Sequence, residues 1–439
     1  MPSARETALQ ALTRFRRDGA WPDLYLKEAC AGLRGEEAAL AAALTYGVLE
    51  NRAWLDFLLS RFCSRPLEKQ DPRVLDVLRL GACQLVLMER IPPRAAVNET
   101  VELAKKSGCA GAAPFVNGVL RSLDRSRGDL PQVPREDVLT YLSTRYSHPR
   151  WFVGKMRKRL GDEGCEALLR ADNGPADTPA RVNTLKITRG DLLARMEEAH
   201  IPARPHPFLE NALLLDDVGA VLRSGLLDEG LLYIQDTASQ LCVEALAPQP
   251  GEDVLDLCAA PGGKSLLAGQ KMENRGTLRA WDLYPARAAR IGDNARRYGV
   301  SILTAGAADA SVLRPGLRES ADAILCDVPC SGMGVIRKKP DIRYKDGDSI
   351  KVLPPLQYAI LCAAGEYLRP GGRLVYSTCT LLREENEQVT ARFLAEHPGF
   401  ALEPFALPGI GETPGEITLW PHIHGTDGFY MAKITKQRG

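Results

Sequence analysis

No apolar run in this chain approaches the roughly 20 residues needed to span a membrane. The opening residues, Met1-Pro2-Ser3-Ala4-Arg5-Glu6, carry no apolar signal core, so a cytoplasmic protein is expected. The eleven cysteines form no paired CxxC sets. That excludes a disulfide framework and predicts reduced thiols. An excess of one charge is also missing: 56 Lys and Arg against 55 Asp and Glu leave a net charge of +1. Any nucleic-acid surface must therefore be a local patch. No metal cluster is visible, because His422 and His424 lack cysteine partners and read as surface histidines. Both GxGxxG and GxxxxGK[ST] are absent, which removes the usual dinucleotide and P-loop signatures. What remains is a chain of 439 residues, 25% charged and 45% hydrophobic, long enough for two or three soluble domains.

Residues 1–128 lack strand-like alternation. Apolar residues instead recur at three- and four-residue spacing, as in Ala8, Leu9, Leu12 and Phe15, and in Leu55, Leu58, Leu59 and Phe62. Asp71-Pro72 predicts a helix start, with Asp as the cap and Pro in the first turn. On a later helix Asn117 and Arg121 share a face at i, i+4 spacing. They either meet RNA or brace neighbouring helices.

The stretch Asp124 to Pro134 has the polar, proline-containing composition of a boundary. Beyond it, Tyr146 to Arg159 interleaves His148, Trp151 and Phe152 with Arg150, Lys155, Arg157, Lys158 and Arg159. Such a pattern suits phosphate contact with base stacking. It also suits an amphipathic helix with Trp151, Phe152 and Met156 inside. Arg181-Val182-Asn183 then reads as a strand of a small α/β element, with a helix near 189–200 and strands near 212–215.

From Leu231 the pattern becomes strand–helix alternation, the mark of a doubly wound sheet. Strands are expected at 254–258, 278–282, 302–307, 323–327 and 373–377, with a last strand near 428–433. A glycine-rich turn, Ala259-Ala260-Pro261-Gly262-Gly263-Lys264, follows the first of these. Asp282 ends the second. A carboxylate there accepts hydrogen bonds from two ribose hydroxyls, which fits a nucleoside cofactor. Two cysteines stand in matched settings after apolar runs: Cys330 in Asp327-Val328-Pro329-Cys330 and Cys379 in Tyr376-Ser377-Thr378-Cys379. They are either small core residues or two thiols brought to one rim of the sheet. Pro354 and Pro355 predict a helix start ahead of Leu356-Gln357.

These motifs carry two resemblances. Leu44 to Arg52, Leu78 to Leu85, Ala96 to Val101 and Phe115 to Arg121 resemble the helical RNA-binding domain of the NusB family. The glycine-rich turn, the two cysteine motifs and the loop Cys330 to Arg343 resemble the NOP/Sun family of RNA 5-methylcytosine methyltransferases. Family members often have Thr at Ser265 and His at Lys339. The combination is similar to the bacterial Sun/Fmu-type enzymes. It implies three parts: a NusB-like all-α bundle over 1–128, a linker and small α/β RNA-binding element over 129–225, and a Rossmann-like α/β methyltransferase domain over 226–439.

The resemblance implies S-adenosylmethionine as cofactor, held by Cys258, Ala259, Ala260, Pro261, Gly262, Gly263, Lys264, Asp282, Arg287, Asp309 and Asp327. Asp282 would serve the ribose, Asp309 the adenine side, and Asp327 the methionine end and the target base. It also implies a substrate, cytosine 967 of 16S ribosomal RNA outside the mature subunit, with no DNA or membrane partner, and a monomer. Cytosine C5 is a poor nucleophile until a thiolate adds to C6. Family likeness makes Cys379 that nucleophile and Cys330 the residue that assists release, with Lys264 and Asp327 positioning cofactor and base. DNA cytosine methyltransferases attack from the Pro-Cys cysteine, here Cys330, so a DNA enzyme is one rival. An RNA-binding, antitermination-type protein with a non-catalytic methyltransferase domain is another.

Overall fold

The computed structural model describes residues 2–19 and 21–438. They fall into two units: 1–173 together with 339–345, and 174–338 together with 346–439. Among the described residues no helix is long and apolar enough to cross a membrane.

The first unit is helical. Its helices are α1 (Ala4–Asp18), α2 (Pro22–Ala29), α3 (Gly35–Ser60), α4 (Pro72–Leu87), α5 (Pro93–Ala104), α6 (Ala113–Arg125), α7 (Val138–Arg145) and α8 (Arg150–Asp172). The predicted start of α4 is present: Asp71 accepts hydrogen bonds from the amides of Arg73 and Val74, with Pro72 in the first turn. Every residue of α4 from Val74 to Leu85 is buried, so this is the central helix. Leu44, Val48, Leu55, Leu58 and Leu120 pack around it. The buried charges at its heart are paired: Arg79 bridges Asp56 at 2.7 Å and Asp76, on the same helix, at 3.0 Å. A buried arginine needs such partners to offset its lost hydration. On α6, Asn117 is exposed and Arg121 half-buried, one turn apart.

The stretch Asp124 to Pro134 lies inside the first unit, where α7 packs against α3 and the amide of Trp54 donates to Ser147 Oγ at 3.1 Å. Of the two readings of Tyr146 to Arg159 the amphipathic helix holds, and its aromatic residues are not available for base stacking. Tyr146, His148, Phe152 and Met156 are buried, and Trp151 is half-buried with its indole N–H on the Lys345 carbonyl. The apolar face of α8 turns inward, and only its basic face remains outside.

The basic end of the loop after Cys330 is buried among these helices. Residues 339–345 belong to the helical unit. Arg343, 2% exposed, donates to the carbonyls of Glu50 at 2.7 Å, Tyr146 at 3.2 Å and Asp172 at 3.3 Å, and to Asn173 Oδ1 at 2.6 Å. The Tyr344 hydroxyl donates to the Leu49 carbonyl, and its ring meets Phe15 edge-on at 5.3 Å. Arg343→Ala removes the buried guanidinium that ties the Glu50, Tyr146 and Asp172 carbonyls together. It is expected to destabilise the helical unit by about 3 kcal/mol or more, read as a lower melting temperature; an unchanged melt would refute this role.

The second unit opens with β1 (Pro179–Val182), α9 (Arg189–Glu198), β2 (Ala203–Pro205), β3 (Ala212–Leu215), α10 (Val218–Arg223) and β4 (Leu232–Ile234). The strands form an antiparallel sheet in the order β2-β3-β1-β4. Then come α11 (Thr237–Leu246), β5 (Asp253–Asp256), α12 (Gly263–Lys271), β6 (Thr277–Asp282), α13 (Pro285–Tyr298), β7 (Leu303–Ala307) and β8 (Ala321–Asp327). The chain ends with α14 (Leu353–Tyr367), β9 (Leu368–Thr378), α15 (Glu387–Glu396), β10 (Phe400–Leu402), β11 (Phe405–Leu407), β12 (Gly411–Thr413), β13 (Glu416–Leu419), α16 (Pro421–His424) and β14 (Phe429–Lys436). Pro354 and Pro355 lie in the first turn of α14, as read from the sequence.

The large sheet runs β10-β14-β9-β8-β5-β6-β7, with β13 beside β14. Strands β5 to β9 are parallel, and β14 returns antiparallel on β9, pairing Tyr430 with Thr378. The interiors of β5 (Val254, Leu255) and β8 (Ala323, Ile324, Leu325, Cys326) are continuously apolar because helices cover both faces. Strand order reverses where β8 lies beside β5, and ligands enter such sheets at that point.

Candidate active site

Strand β5 delivers the glycine-rich turn. Gly262 caps α12 at φ 103°, a left-handed conformation that costs glycine little. Arg181, 1% exposed, braces the turn from the small sheet. It donates to Gln235 Oε1 at 2.6 Å, Gln270 Oε1 at 2.7 Å and the Gly263 carbonyl at 3.1 Å. The Arg-Val-Asn strand thus holds the first turn of α12 in place.

Above the turn lies a cavity of about 220 Å³, lined among others by Tyr233, Gln235, Ser239, Lys264 and Asp327. Of the residues expected to hold cofactor, Cys258, Ala259, Ala260, Pro261, Gly263, Lys264 and Asp327 line it. Asp282, 3% exposed, takes the Tyr284 amide at 3.1 Å and lies 3.4 Å from Arg287. Arg287 in turn donates to the Ala260 carbonyl at 3.1 Å, so the strand-two acid and the turn are joined. Asp309 stands apart from the cavity lining. Its carboxylate accepts from the Ser311 hydroxyl at 2.6 Å and amide at 2.9 Å, which holds it below the ordinary aspartate range.

One acid of this cavity escaped the sequence reading. Asp256, the last residue of β5, is 1% exposed, and burial pushes its carboxyl up to about 7. Ser265 donates to its Oδ2 at 2.6 Å, which gives that hydroxyl its role. Oδ1 has no hydrogen-bond partner among the described residues. A buried acceptor aimed into a polar cavity fits the ammonium end of an amino-acid cofactor. The strand-end position of Asp256, matching that of Asp282, was the signal available.

The two cysteines meet. Cys330 Sγ and Cys379 Sγ are 3.2 Å apart. The hydrogen bond the two thiols share lowers the Cys379 thiol against the opposing effects of burial and Asp327, with Lys264 adding to the lowering. Cys330 moves the other way: its bond to Cys379, burial and the nearby Glu385 all raise it. Beside them Lys264 Nζ lies 2.7 Å from Asp327 Oδ2, and Ser377 donates to Asp327 Oδ1 at 2.7 Å. Burial works against the Lys264 charge, but Asp327 more than offsets it, and the ammonium is held well above its ordinary value.

The loop between Cys330 and the helical unit is pinned rather than loose. The Gly334 amide donates to the Cys379 carbonyl at 3.0 Å, and the Gly428 amide to the Gly334 carbonyl at 2.8 Å. A Cβ on Gly334 would lie 1.9 Å from the Gly428 oxygen, so only glycine fits. Lys338 reaches Asp427 at 2.9 Å and also Asp236, and Arg337 lies 3.5 Å from Asp427. These bases hold the loop in place against Asp236 and Asp427, while Lys339 remains exposed. His422 and His424 are half-buried on α16, and among the described residues no group of three or more His, Cys, Asp or Glu is placed to hold a metal.

A parallel sheet with an antiparallel last strand, opening its cleft at the β5/β8 reversal, is the architecture of the Rossmann-like S-adenosylmethionine-dependent methyltransferases. Comparison with known proteins narrows this. A family model described as 16S rRNA methyltransferase RsmB/F matches residues 243–435, the NusB family matches 2–125, and an RsmF/B-like ferredoxin-like domain matches 148–222. The chain is 37% identical to the probable ribosomal RNA small subunit methyltransferase B of Bacillus subtilis, covering 99% of each. It is 34% identical to ribosomal RNA small subunit methyltransferase B of Klebsiella pneumoniae, over 99% of this chain and 98% of the other. Among solved structures, the crystal structure of PH0851 aligns with TM-score 0.80 at 26% identity over 99% of both chains. A methyltransferase homolog from Pyrococcus horikoshii aligns with TM-score 0.58 at 30% identity, over 69% of this chain and all of that one. The chain belongs to the RsmB/F family of small-subunit ribosomal RNA methyltransferases, enzymes that depend on S-adenosylmethionine.

Proposed function

We propose that this enzyme methylates C5 of cytosine 967 in 16S ribosomal RNA, acting as a monomer in the cytoplasm on RNA outside the mature subunit. The 3.2 Å pair of thiols beside the Lys264–Asp327 ion pair carries this reading. When bound, S-adenosylmethionine supplies an electrophilic methyl group. Cys258 to Lys264 line its cleft, Asp282 takes the ribose with Arg287 behind it, and Asp309 serves the adenine side.

Cys379, with its thiol lowered, adds to C6 of the cytosine, and the electron pair of the C5–C6 double bond moves to C5. Asp327, held by Lys264 and Ser377, meets N3 of the ring and shares its proton. After C5 has taken the methyl group, a base removes its proton and the C6–sulfur bond breaks. Cys330, whose thiol is raised and already in contact with Cys379, assists that release. The target base must leave its stack to reach the thiols. The helical bundle over 1–128 and the basic face of α8 supply the RNA-binding surface in this reading.

Incubation with labelled S-adenosylmethionine and unmodified small-subunit RNA should yield 5-methylcytosine at that one position. Assembled subunits and duplex DNA should accept little label. Cofactor binding with no transfer to any RNA would favour an RNA-binding protein with an idle methyltransferase domain.

A further inference from the structure

Behind the two thiols lies a set of buried polar side chains that the reaction above does not use. Glu385 is 1% exposed and follows Cys379 by six residues. Its carboxylate accepts from the Ser331 amide at 2.8 Å, the Ser331 hydroxyl at 2.5 Å and Gln357 Nε2 at 2.9 Å. Gln357 also donates to the Pro329 carbonyl at 2.9 Å. The groups on both sides of Cys330 are thereby tied to one carboxylate.

The neighbouring Asn386, also fully buried, does the same for Cys379. Its side-chain oxygen takes the Thr378 hydroxyl, and its Nδ2 donates to the Thr380 carbonyl at 2.9 Å. The hydroxyls of Ser331 and Thr380 meet at 2.8 Å and join the two halves. Tyr376, on β9, fixes the Glu385 backbone by donating to its carbonyl at 2.6 Å.

Every donor to the Glu385 carboxylate among the described residues is neutral. In a low-dielectric interior a carboxylate without a facing cation acts strongly on its neighbours, and Glu385 raises the Cys330 thiol. Cys379 faces a different set: Asp327 and Asp427 raise its thiol, and the Lys264 ammonium lowers it. The two thiols touch, yet different charged groups act on them.

We propose that Glu385 is a positioning residue that makes the two cysteines inequivalent: it fixes Cys330 through Ser331 and Gln357, and its buried charge reserves Cys330 for proton donation and leaves nucleophilic attack to Cys379. The inference rests on the proposed cysteine chemistry, but its test needs no methyl transfer.

The full-length protein is treated with limiting iodoacetamide across pH 6 to 9, from about 2.5 units below an ordinary thiol to about 0.5 above it, and labelling at each cysteine is read by peptide mass spectrometry. The wild type should label Cys379 first. Glu385→Gln keeps the size and the acceptor oxygen but removes the charge. It should raise labelling of Cys330 relative to Cys379 by about tenfold at neutral pH, the ratio that one unit of thiol acidity gives. An unchanged ratio in a variant with an unaltered melt would overturn the charge role. Ser331→Ala provides a second arm, since it keeps the charge and cuts the tether. It should preserve the labelling order and lower kcat severalfold with KM unchanged. Wild-type turnover in Ser331→Ala would overturn the positioning role. Failure of methyl transfer in all proteins, with the labelling ratio shifted as expected, would count against the proposed reaction and leave the asymmetry standing.

Discussion

Replacing Cys379 by alanine should abolish methyl transfer, while replacing Cys330 by alanine should leave the enzyme attached to its RNA. The two sulfurs are 3.2 Å apart, so proximity alone does not separate their roles. Their surroundings do. The hydrogen bond the two thiols share lowers the Cys379 thiol, and the Lys264 ammonium adds to that; the same bond, burial and Glu385 raise the Cys330 thiol. A nucleophile lost from a covalent mechanism typically costs ~10⁴-fold or more in rate. Cys379→Ala should therefore show neither transfer nor adduct. Cys330→Ala retains the attacking sulfur and should methylate once, then release slowly. The products are separated on a denaturing gel with labelled RNA, where the adduct migrates with the protein. An adduct formed by Cys379→Ala and absent from Cys330→Ala would exchange the two assignments and bring the chemistry closer to that of the DNA enzymes.

Much of this arrangement is written locally in the chain. Asp71-Pro72 caps α4, the glycine-rich turn links β5 to α12, and Asp282 ends β6, each from residues adjacent in sequence. The return of β14 onto β9 was legible too, as an apolar segment left over after the parallel strands. What escaped depends on partners far away along the chain. Nothing adjacent to Arg343 in the chain announces its role, because it reaches the Glu50 carbonyl across 293 positions. Trp151 and Phe152 have the spacing of an amphipathic helix, and periodicity does not say whether aromatic rings on it face solvent or core. Glu385 and Asn386 sit in a charged run, Arg383-Glu384-Glu385-Asn386-Glu387, that looks like a wetted surface. Only the turn after β9 brings them under the cysteines. The catalytic pair was visible because both motifs end strands of one parallel sheet, whereas its supporting network is set by a loop that no periodicity describes.

Exchanging Asp327 for asparagine should lower kcat by about 10² to 10⁴-fold, the range for losing a positioned acid–base group, with little change in cofactor affinity. Asparagine keeps the shape of the side chain, its oxygen for Lys264 and an NH2 to which the Ser377 hydroxyl can turn as acceptor, so the fold should persist. It cannot share a proton with cytosine N3. Asp327→Ala is a harsher change. It strips Lys264, whose side chain is 12% exposed, of its 2.7 Å partner. Breaking a buried ion pair by deleting one member costs about 3 to 5 kcal/mol, so this variant should also melt earlier. Lys264→Met separates the two contributions. It removes the ammonium that helps Cys379 ionise, so the Cys379 thiol rises, and the acidic limb of the kcat/KM profile should move to higher pH. The measurements are steady-state rates from low to high pH and cofactor binding by titration. Asp327→Asn within threefold of wild type would remove Asp327 from the chemistry. An acidic limb unmoved in Lys264→Met would show that the hydrogen bond from Cys330 alone makes Cys379 a nucleophile.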